Sequence, residues 1–497
     1  MTRLFLSALS GALLACAFPP HAIFPLALCG LIPLLIAARD APIAARLTYG
    51  FTCGVAFHIC AFWWLAPTIQ RLQVANVAIG VPASVAFSAY QGLQLGIFAM
   101  VVSSGSMSGA LATSSGWVII EAIYPKILPW YLGDPLGSSP ILRQLADLTG
   151  VQGLSFFSLL INALLAQAIT RHGRSAVARL GAVGLLIAAA SAYGNHAGTI
   201  WDSVSESHNV HVAIVQGGIS ASTVPLDFAS LNDNLWTTHE RLSLAGPVPE
   251  DSGLRLTVWP ETSVRSYLDE DNDDRRRAES LARRLNHAVL IGALDRSDDG
   301  LVEFNTAYLF GPDGNHQKYR KTVLVPFGEY VPAAMLFQFA PQWRVTGRFS
   351  PGEDRPLMAL TDVVRFATLI CFEAAWTGSY LDQVRNGAGL LVNVSDDSWF
   401  QSEAEAQAHL NATRLRAVEL RRWLVRATDS GISAVIDPEG EIVASMGWGE
   451  VGVLRTMLVT DTRLSTFARS GNWLLTISSA HFALLFLRAL AFAGRRT

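Results

Sequence analysis

The chain has 497 residues, of which 51% are hydrophobic and only 15% charged, with a formal net charge of −3. Soluble domains carry about 25% charged residues, so this deficit excludes an ordinary soluble protein and points to lipid-embedded segments. The near-neutral balance gives no footprint for nucleic acid, and five scattered cysteines without a CxxC pair exclude a disulfide framework or a zinc site.

Membrane spans need roughly 20 mostly apolar residues. Candidate stretches lie at about 3–19, 22–38, 43–65, 76–103, 108–124, 150–170 and 176–194, with an eighth at about 473–493. Basic residues in the short connections set orientation. Arg3, Arg39, Arg46, Arg171, Arg174, Arg179, Arg488, Arg495 and Arg496 fall on one side of an eight-span arrangement, with Arg71, Lys126 and Arg143 against the pattern. The arginine-rich side is expected in the cytoplasm and the large polar segment outside it. Leu13-Leu-Ala-Cys16 resembles a lipoprotein signal, but the apolar hairpin continues through Phe18-Pro-Pro20, so the stretch reads as a first span. Trp63-Trp64 and Pro129-Trp130-Tyr131 read as interfacial aromatics, and Glu121 is an ionisable group inside a span, where such a group is costly.

From about 200 to 468 the texture changes to short apolar runs: 211–215, 254–259, 288–293, 306–310, 365–370, 389–394 and 432–436. Helical patterns intervene, notably around 275–285 and 403–427, and the acidic run 269–274 reads as a solvated loop and helix start. The alternation predicts an α/β domain whose strands are covered on both faces. Three regions follow: 1–195 as a membrane bundle of about seven helices, 200–468 as the catalytic domain, and 470–497 as a last membrane helix.

Three short stretches carry chemistry. Ala367-Thr-Leu-Ile-Cys371-Phe-Glu373 brings a cysteine to the end of an apolar strand, the natural place for a thiol nucleophile. Val258-Trp-Pro-Glu261 offers a general base, and Tyr319-Arg-Lys321 a fixed cation for a developing oxyanion, together with the backbone N–H of Phe372. Such a set serves attack on a carbonyl.

These stretches resemble the Glu-Lys-Cys motifs of the nitrilase, or carbon–nitrogen hydrolase, superfamily. Combined with seven spans before the domain and one after it, they resemble the bacterial apolipoprotein N-acyltransferases. The most specific piece is Lys321-x-x-Leu324-Val-Pro-Phe-Gly-Glu-Tyr-Val-Pro332. Val215-Gln-Gly217, Phe304-Asn-Thr-Ala307, Asn393-Val-Ser-Asp-Asp-Ser-Trp-Phe400 and Arg416-Ala-x-Glu419 support it. The resemblance implies about eight transmembrane helices plus an extramembrane αββα sandwich. It puts a triad on Glu261, Lys321 and Cys371, with Glu329, Phe372, Glu373 and Trp399 in support. It also implies a ping-pong reaction without cofactor or metal. Cys371 takes the sn-1 acyl chain of a phospholipid, typically phosphatidylethanolamine, and passes it to the N-terminal cysteine amine of a diacylglyceryl apolipoprotein. The implied setting is the bacterial inner membrane, multi-pass and monomeric, with the catalytic domain on the periplasmic side. Phe337, Phe339 and Trp343 fall in an apolar loop that reads as a lid toward lipid. The chain departs from the family pattern at Gly218 (often Asn), Val323 (often basic) and Gln401 (usually Gly), and Lys126 and Leu128 stand in for a basic residue and a Phe. Alternatives are a membrane-tethered amidase using the same triad, a divergent paralogue with another acceptor, and a non-catalytic scaffold. A transporter fits poorly, because the spans hold few ionisable groups and no inverted repeat.

Overall fold

A computed structural model describes residues 1–72, 77–103, 105–201, 207–219, 228–246, 253–330 and 349–493. Phe337, Phe339 and Trp343 lie outside the described residues. The chain divides into two compact units, Met1–Ile200 with Ser465–Thr497, and Trp201–Leu464.

The first unit is helical. Its elements are α1 (Thr2–Ala15), α2 (Ile32–Ala38), α3 (Ile43–Ala61), α4 (Leu65–Leu72), α5 (Val77–Val101), α6 (Met107–Ile123), α7 (Ala146–Ile169) and α8 (Arg174–Trp201). Ile43–Ala61, Gly80–Val101, Leu142–Ile169 and Arg174–Thr199 are long and apolar enough to cross a membrane. Thr2–Ala15, Phe24–Ala38, Met107–Ile123 and Trp473–Leu485 are shorter apolar helices. All eight apolar stretches are therefore largely helical, and four reach spanning length among the described residues. The first is short because Pro19 and Pro20 follow it closely, and proline cannot continue a helix. Helix α3 packs against α1 and α5, and α6 against α7.

Trp63 is exposed, as an interfacial ring should be, but Trp64, Trp130 and Tyr131 are buried. Trp130 packs against Phe18, Phe57, His58 and Trp117, so it belongs to the helical core instead of a belt. Glu121 is buried too. It accepts hydrogen bonds from Trp117 Nε1 at 3.0 Å, the Leu132 backbone at 2.8 Å and Ser155 at 3.0 Å, which offsets much of the cost of placing a carboxyl there.

The second unit contains β1 (Asn209–Gln216), α9 (Phe228–Leu244), β2 (Leu254–Val258), α10 (Asn272–Leu285), β3 (Ala288–Arg296), β4 (Glu303–Phe310) and β5 (His316–Arg320). It continues with β6 (Met358–Ala359), β7 (Arg365–Ile370), α11 (Leu381–Arg385), β8 (Leu390–Ser395), α12 (Glu403–Leu420), β9 (Leu424–Thr428), β10 (Ser433–Ile436), β11 (Ile442–Met446) and β12 (Gly452–Val459). The chain then returns to the first unit through α13 (Thr466–Ser470) and α14 (Trp473–Ala493), which lies against α6.

Among the described residues the strands form two six-stranded sheets, ordered β12-β1-β2-β3-β4-β5 and β11-β10-β9-β8-β7-β6. β1, β2 and β3 run parallel in the first sheet, and β7, β8 and β9 in the second. The sheets meet face to face, β1 against β9 and β4 against β7, while α9 and α10 cover the first sheet and α11 and α12 the second. The result is an α/β sandwich of four layers.

Alternation along β3 explains one outer layer. Val289, Ile291 and Ala293 pack with Trp236 of α9 and with Leu281 and Leu285 of α10 in one buried cluster. Each such side chain contributes roughly 1.5–3 kcal/mol on burial. The acidic run before α10 caps it, since Asp271 accepts from the backbone of Asp273 and Asp274 at 3.0 and 3.1 Å. The helix expected over 403–427 stops earlier. Arg421 takes a left-handed conformation, φ +53°, and the chain turns into β9.

Candidate active site

Glu261, Lys321, Cys371 and Asp396 each follow the carboxyl end of a strand, β2, β5, β7 and β8 respectively. The carboxyl ends of strands in an open α/β sheet are the usual place for a site. Gly292 of β3 makes room for the Glu261 turn: a Cβ there would lie 2.1 Å from the Pro260 carbonyl oxygen and 2.7 Å from Glu261 Cα.

Lys321 is 1% exposed and lies between two carboxylates. Its Nζ donates to Glu261 Oε1 at 3.1 Å and to Glu329 Oε1 at 2.8 Å. Asn305 Nδ2 donates to the same two oxygens at 2.7 and 3.1 Å. The remaining oxygens are also held, Glu329 Oε2 by the Val325 N–H at 2.8 Å and Glu261 Oε2 by the Asp396 N–H at 2.9 Å. Burial alone would favour the neutral amine, but the charges of Glu261 and Glu329 outweigh it and hold the Lys321 ammonium well above the ordinary lysine range. Lys321 is thus a fixed cation and not a proton carrier.

Cys371 opens a short 3-10 helix directly after β7. Its φ is +52°, a region non-glycine residues rarely occupy. The Cys371 carbonyl is pinned in that conformation by Asn393 Nδ2 at 3.3 Å and His409 Nε2 at 3.2 Å. His409 in turn lies 3.3 Å from Asp397, and Arg426 pairs with Asp397 at 2.8 Å. Burial pushes the Cys371 thiol well above its usual range; the Glu261 charge adds to this, and the Lys321 charge opposes it. The resting sulfur is therefore a thiol, and attack requires a base to remove its proton.

Phe372 occupies the first turn of that 3-10 helix, where a backbone N–H has no intrahelical acceptor. Glu373 is fully buried and acts as a strut. One oxygen accepts from the backbones of Thr322 at 2.7 Å and Val323 at 2.9 Å, just after the lysine. The other accepts from the Ile370 backbone at 2.8 Å, just before the cysteine, and from Tyr319 at 2.9 Å. Trp399 is 42% exposed and stands apart from the buried cluster. Sequence reasoning missed Asn305, Asp396 and the Asn393–His409–Arg426–Asp397 network. Asn305, Asn393, Asp396 and Asp397 do sit inside motif stretches, whereas His409 and Arg426 carry no local signal.

Comparison with known proteins adds a second line. A carbon-nitrogen hydrolase model matches residues 211–465, and a model of the apolipoprotein N-acyltransferase N-terminal domain matches residues 10–164. The apolipoprotein N-acyltransferase of Geobacter metallireducens is 32% identical over 464 residues, covering 88% of this chain and 85% of that protein. The chain belongs to the apolipoprotein N-acyltransferase family. Relatives in that family from Bdellovibrio bacteriovorus (26% identical, 94% of this chain and 90% of the relative) and Rhizobium rhizogenes (28%, 96% and 94%) match over a similar extent. Among solved structures, Saccharomyces cerevisiae Nit3 of the nitrilase superfamily is 21% identical with a TM-score of 0.40, covering 52% of this chain and 93% of that one.

Three departures from the N-acyltransferase pattern have a backbone explanation. Gly218 has φ +67° and Gln401 φ +46°, both in the left-handed region that Gly and Asn enter most readily. At Val323 the backbone N–H, not the side chain, meets Glu373. Lys126, the stand-in for a basic residue, donates to the Trp130 carbonyl at 2.8 Å and covers the Tyr131 ring at 3.9 Å.

Proposed function

We propose that Glu261, Lys321 and Cys371 form the triad of a ping-pong acyl transfer from phospholipid to apolipoprotein. Glu261 removes the Sγ proton as Cys371 attacks the sn-1 ester carbonyl. The oxyanion develops beside the Lys321 ammonium and the Phe372 N–H. Collapse breaks the ester bond, and the lysophospholipid alkoxide takes the proton back from Glu261. The acyl chain remains as a Cys371 thioester. The α-amine of an apolipoprotein's N-terminal cysteine then attacks that thioester. Glu261 accepts the amine proton and returns it to the departing sulfur, leaving an amide.

The observation that carries this reading is the buried Glu261–Lys321–Glu329 cluster, of which Glu261 and Lys321 act on the Cys371 thiol, in a chain matched to the family along most of its length. Glu329 fixes the lysine, and Glu373 fixes the lysine turn against the nucleophile. Trp399, exposed near Asp397, is suited to contact substrate. Eight spans, with residues 200–468 on the periplasmic side, would hold the chain where both lipid substrates reside. Phosphatidylethanolamine as donor and a monomeric state complete the proposal.

The test is incubation of purified protein with phospholipid labelled in its sn-1 acyl chain, beside Cys371→Ala. Label on the protein that neutral hydroxylamine releases, and that the variant lacks, supports the thioester. Absence of label on folded protein in lipid, with hydrolysis of small amides instead, would establish the amidase.

A further inference from the structure

The first unit contains a half-open cleft between the end of α2, the residues after α5, α6 and the end of α7. One wall is apolar, formed by Leu35, Ile36 and Ala163, and the rim carries Arg39 and Arg171. Backbone carbonyls orient both guanidinium groups. Arg39 Nη1 donates to the Thr170 carbonyl at 3.4 Å, and Arg171 Nη2 donates to the Gly105 carbonyl. Arg39 also pairs at 3.1 Å with Asp40, whose carboxylate is largely exposed. Arg46 and Arg179 add positive charge nearby and donate to neutral groups, Arg46 to the Ala41 and Val102 carbonyls and Arg179 to Gln167, Ser175 and Gly105.

Arg171, and Arg39 with only the largely exposed Asp40 against it, stand beside an apolar wall and form a site with two chemistries. A guanidinium held by carbonyls has lost part of its freedom already, so it meets an anion at a reduced entropic cost and recognises phosphate through its planar fork. The apolar wall has no use for a free phosphate ion, but it suits the first methylenes of an acyl chain. Helix α8 begins at Arg174 and ends at Trp201, where the chain leaves for the second unit. At 1.5 Å per residue it is about 42 Å long, so the arginine-rich end and the exit are opposite ends of this helix.

We propose that this cleft binds one anionic phospholipid, with its phosphate on Arg39 and Arg171 and an acyl chain along Leu35, Ile36 and Ala163. The residues of this site belong to the first unit and none of them enters the proposed acyl transfer, so its occupancy does not depend on turnover. The test is native mass spectrometry of the full chain released from detergent, after exposure to phosphatidylglycerol, to phosphatidylcholine of the same acyl chains, or to inorganic phosphate. The expected result is one retained phosphatidylglycerol per chain, no retained phosphatidylcholine and no displacement by phosphate. Removing both rim charges in Arg39→Gln/Arg171→Gln should weaken retention by roughly 30-fold, at about tenfold or less per basic residue. Arg174→Gln, an exposed arginine near the same end but outside the cleft, should leave retention unchanged. Equal retention of both lipids, or an equal loss in Arg174→Gln, would show a diffuse basic collar and overturn the proposal. Displacement by phosphate alone would overturn it in favour of a free-anion site. If the double Gln variant does not fold, Arg39→Lys/Arg171→Lys, together with the lipid comparison on the unaltered chain, decides the matter.

Discussion

The backbone N–H of Asp396 donates to Glu261 Oε2 at 2.9 Å, across 135 residues of sequence. Glu261 follows a strand of one sheet and Asp396 a strand of the other, so this bond ties the proposed base to the sheet that carries Cys371. The Asp396 carboxyl is itself pushed up to about 7, first by burial and then by the Asp429 charge, with Glu261 adding to the effect. Between its unfolded value near 4 and about 7, the folded chain keeps a proton that the unfolded chain has released. Stability from this group therefore falls as pH rises through that window and levels off above it. Asp396→Asn keeps the backbone N–H and should flatten that decline, measured as melting temperature against pH in a fixed detergent.

Lys321→Met should remove acylation by at least 100-fold and also destabilise the fold. Two carboxylates then share a buried site without their cation, and breaking a buried pair costs about 3–5 kcal/mol. Adding Glu329→Gln removes one of the stranded charges, so the double variant should melt higher than Lys321→Met while remaining inactive. Thermal unfolding and the labelled-lipid assay check the two halves separately.

Glu373→Gln keeps size and shape but turns one end of the strut into a donor, facing either the N–H groups of Thr322 and Val323 or that of Ile370. Leaving such buried donors unsatisfied costs about 1–3 kcal/mol. Acylation of Cys371 should fall by roughly 100-fold, as expected for misplacement of catalytic groups by about 1 Å, although all three triad residues are intact. An unaltered acylation rate would show that the lysine turn holds its position without the strut.

Cys371→Ala and Cys371→Gly both abolish labelling, yet they should differ in stability. The position has φ +52°, where a Cβ costs about 1–2 kcal/mol. The glycine variant should unfold at a temperature higher by about 2–4 °C than the alanine variant.

Much of this arrangement was legible in the sequence because the local pattern and the role coincide. The apolar run 365–370 ends one residue before Cys371, the proposed nucleophile, and β7 has those same limits. β9 was hidden: Arg421, Arg422 and Arg426 made a polar-looking segment, yet all three arginines are buried, Arg426 donating to Asn393 and Asp397, Arg421 to the Pro438 carbonyl and Arg422 to the Ala388 carbonyl. β5 and β12 escaped notice because half-exposed strands carry polar residues that break an apolar run. Asn305 and His409 matter through contacts 44 and 38 residues away, which no local pattern reports. The first apolar stretch ends as a helix at Ala15 because Pro19 and Pro20 follow, which hydropathy alone does not register.

The left-handed conformations at Gly218 and Gln401 bear on how family members should be sorted. Asn or Gly at the first, and Gly or another residue at the second, answer the same demand for a positive φ. At both positions the backbone geometry itself constrains the residue, so a difference there is turn chemistry before it is evidence of another acceptor. Trp399, exposed and proposed above as a substrate contact, is the better position to compare when the family is divided by what it acylates.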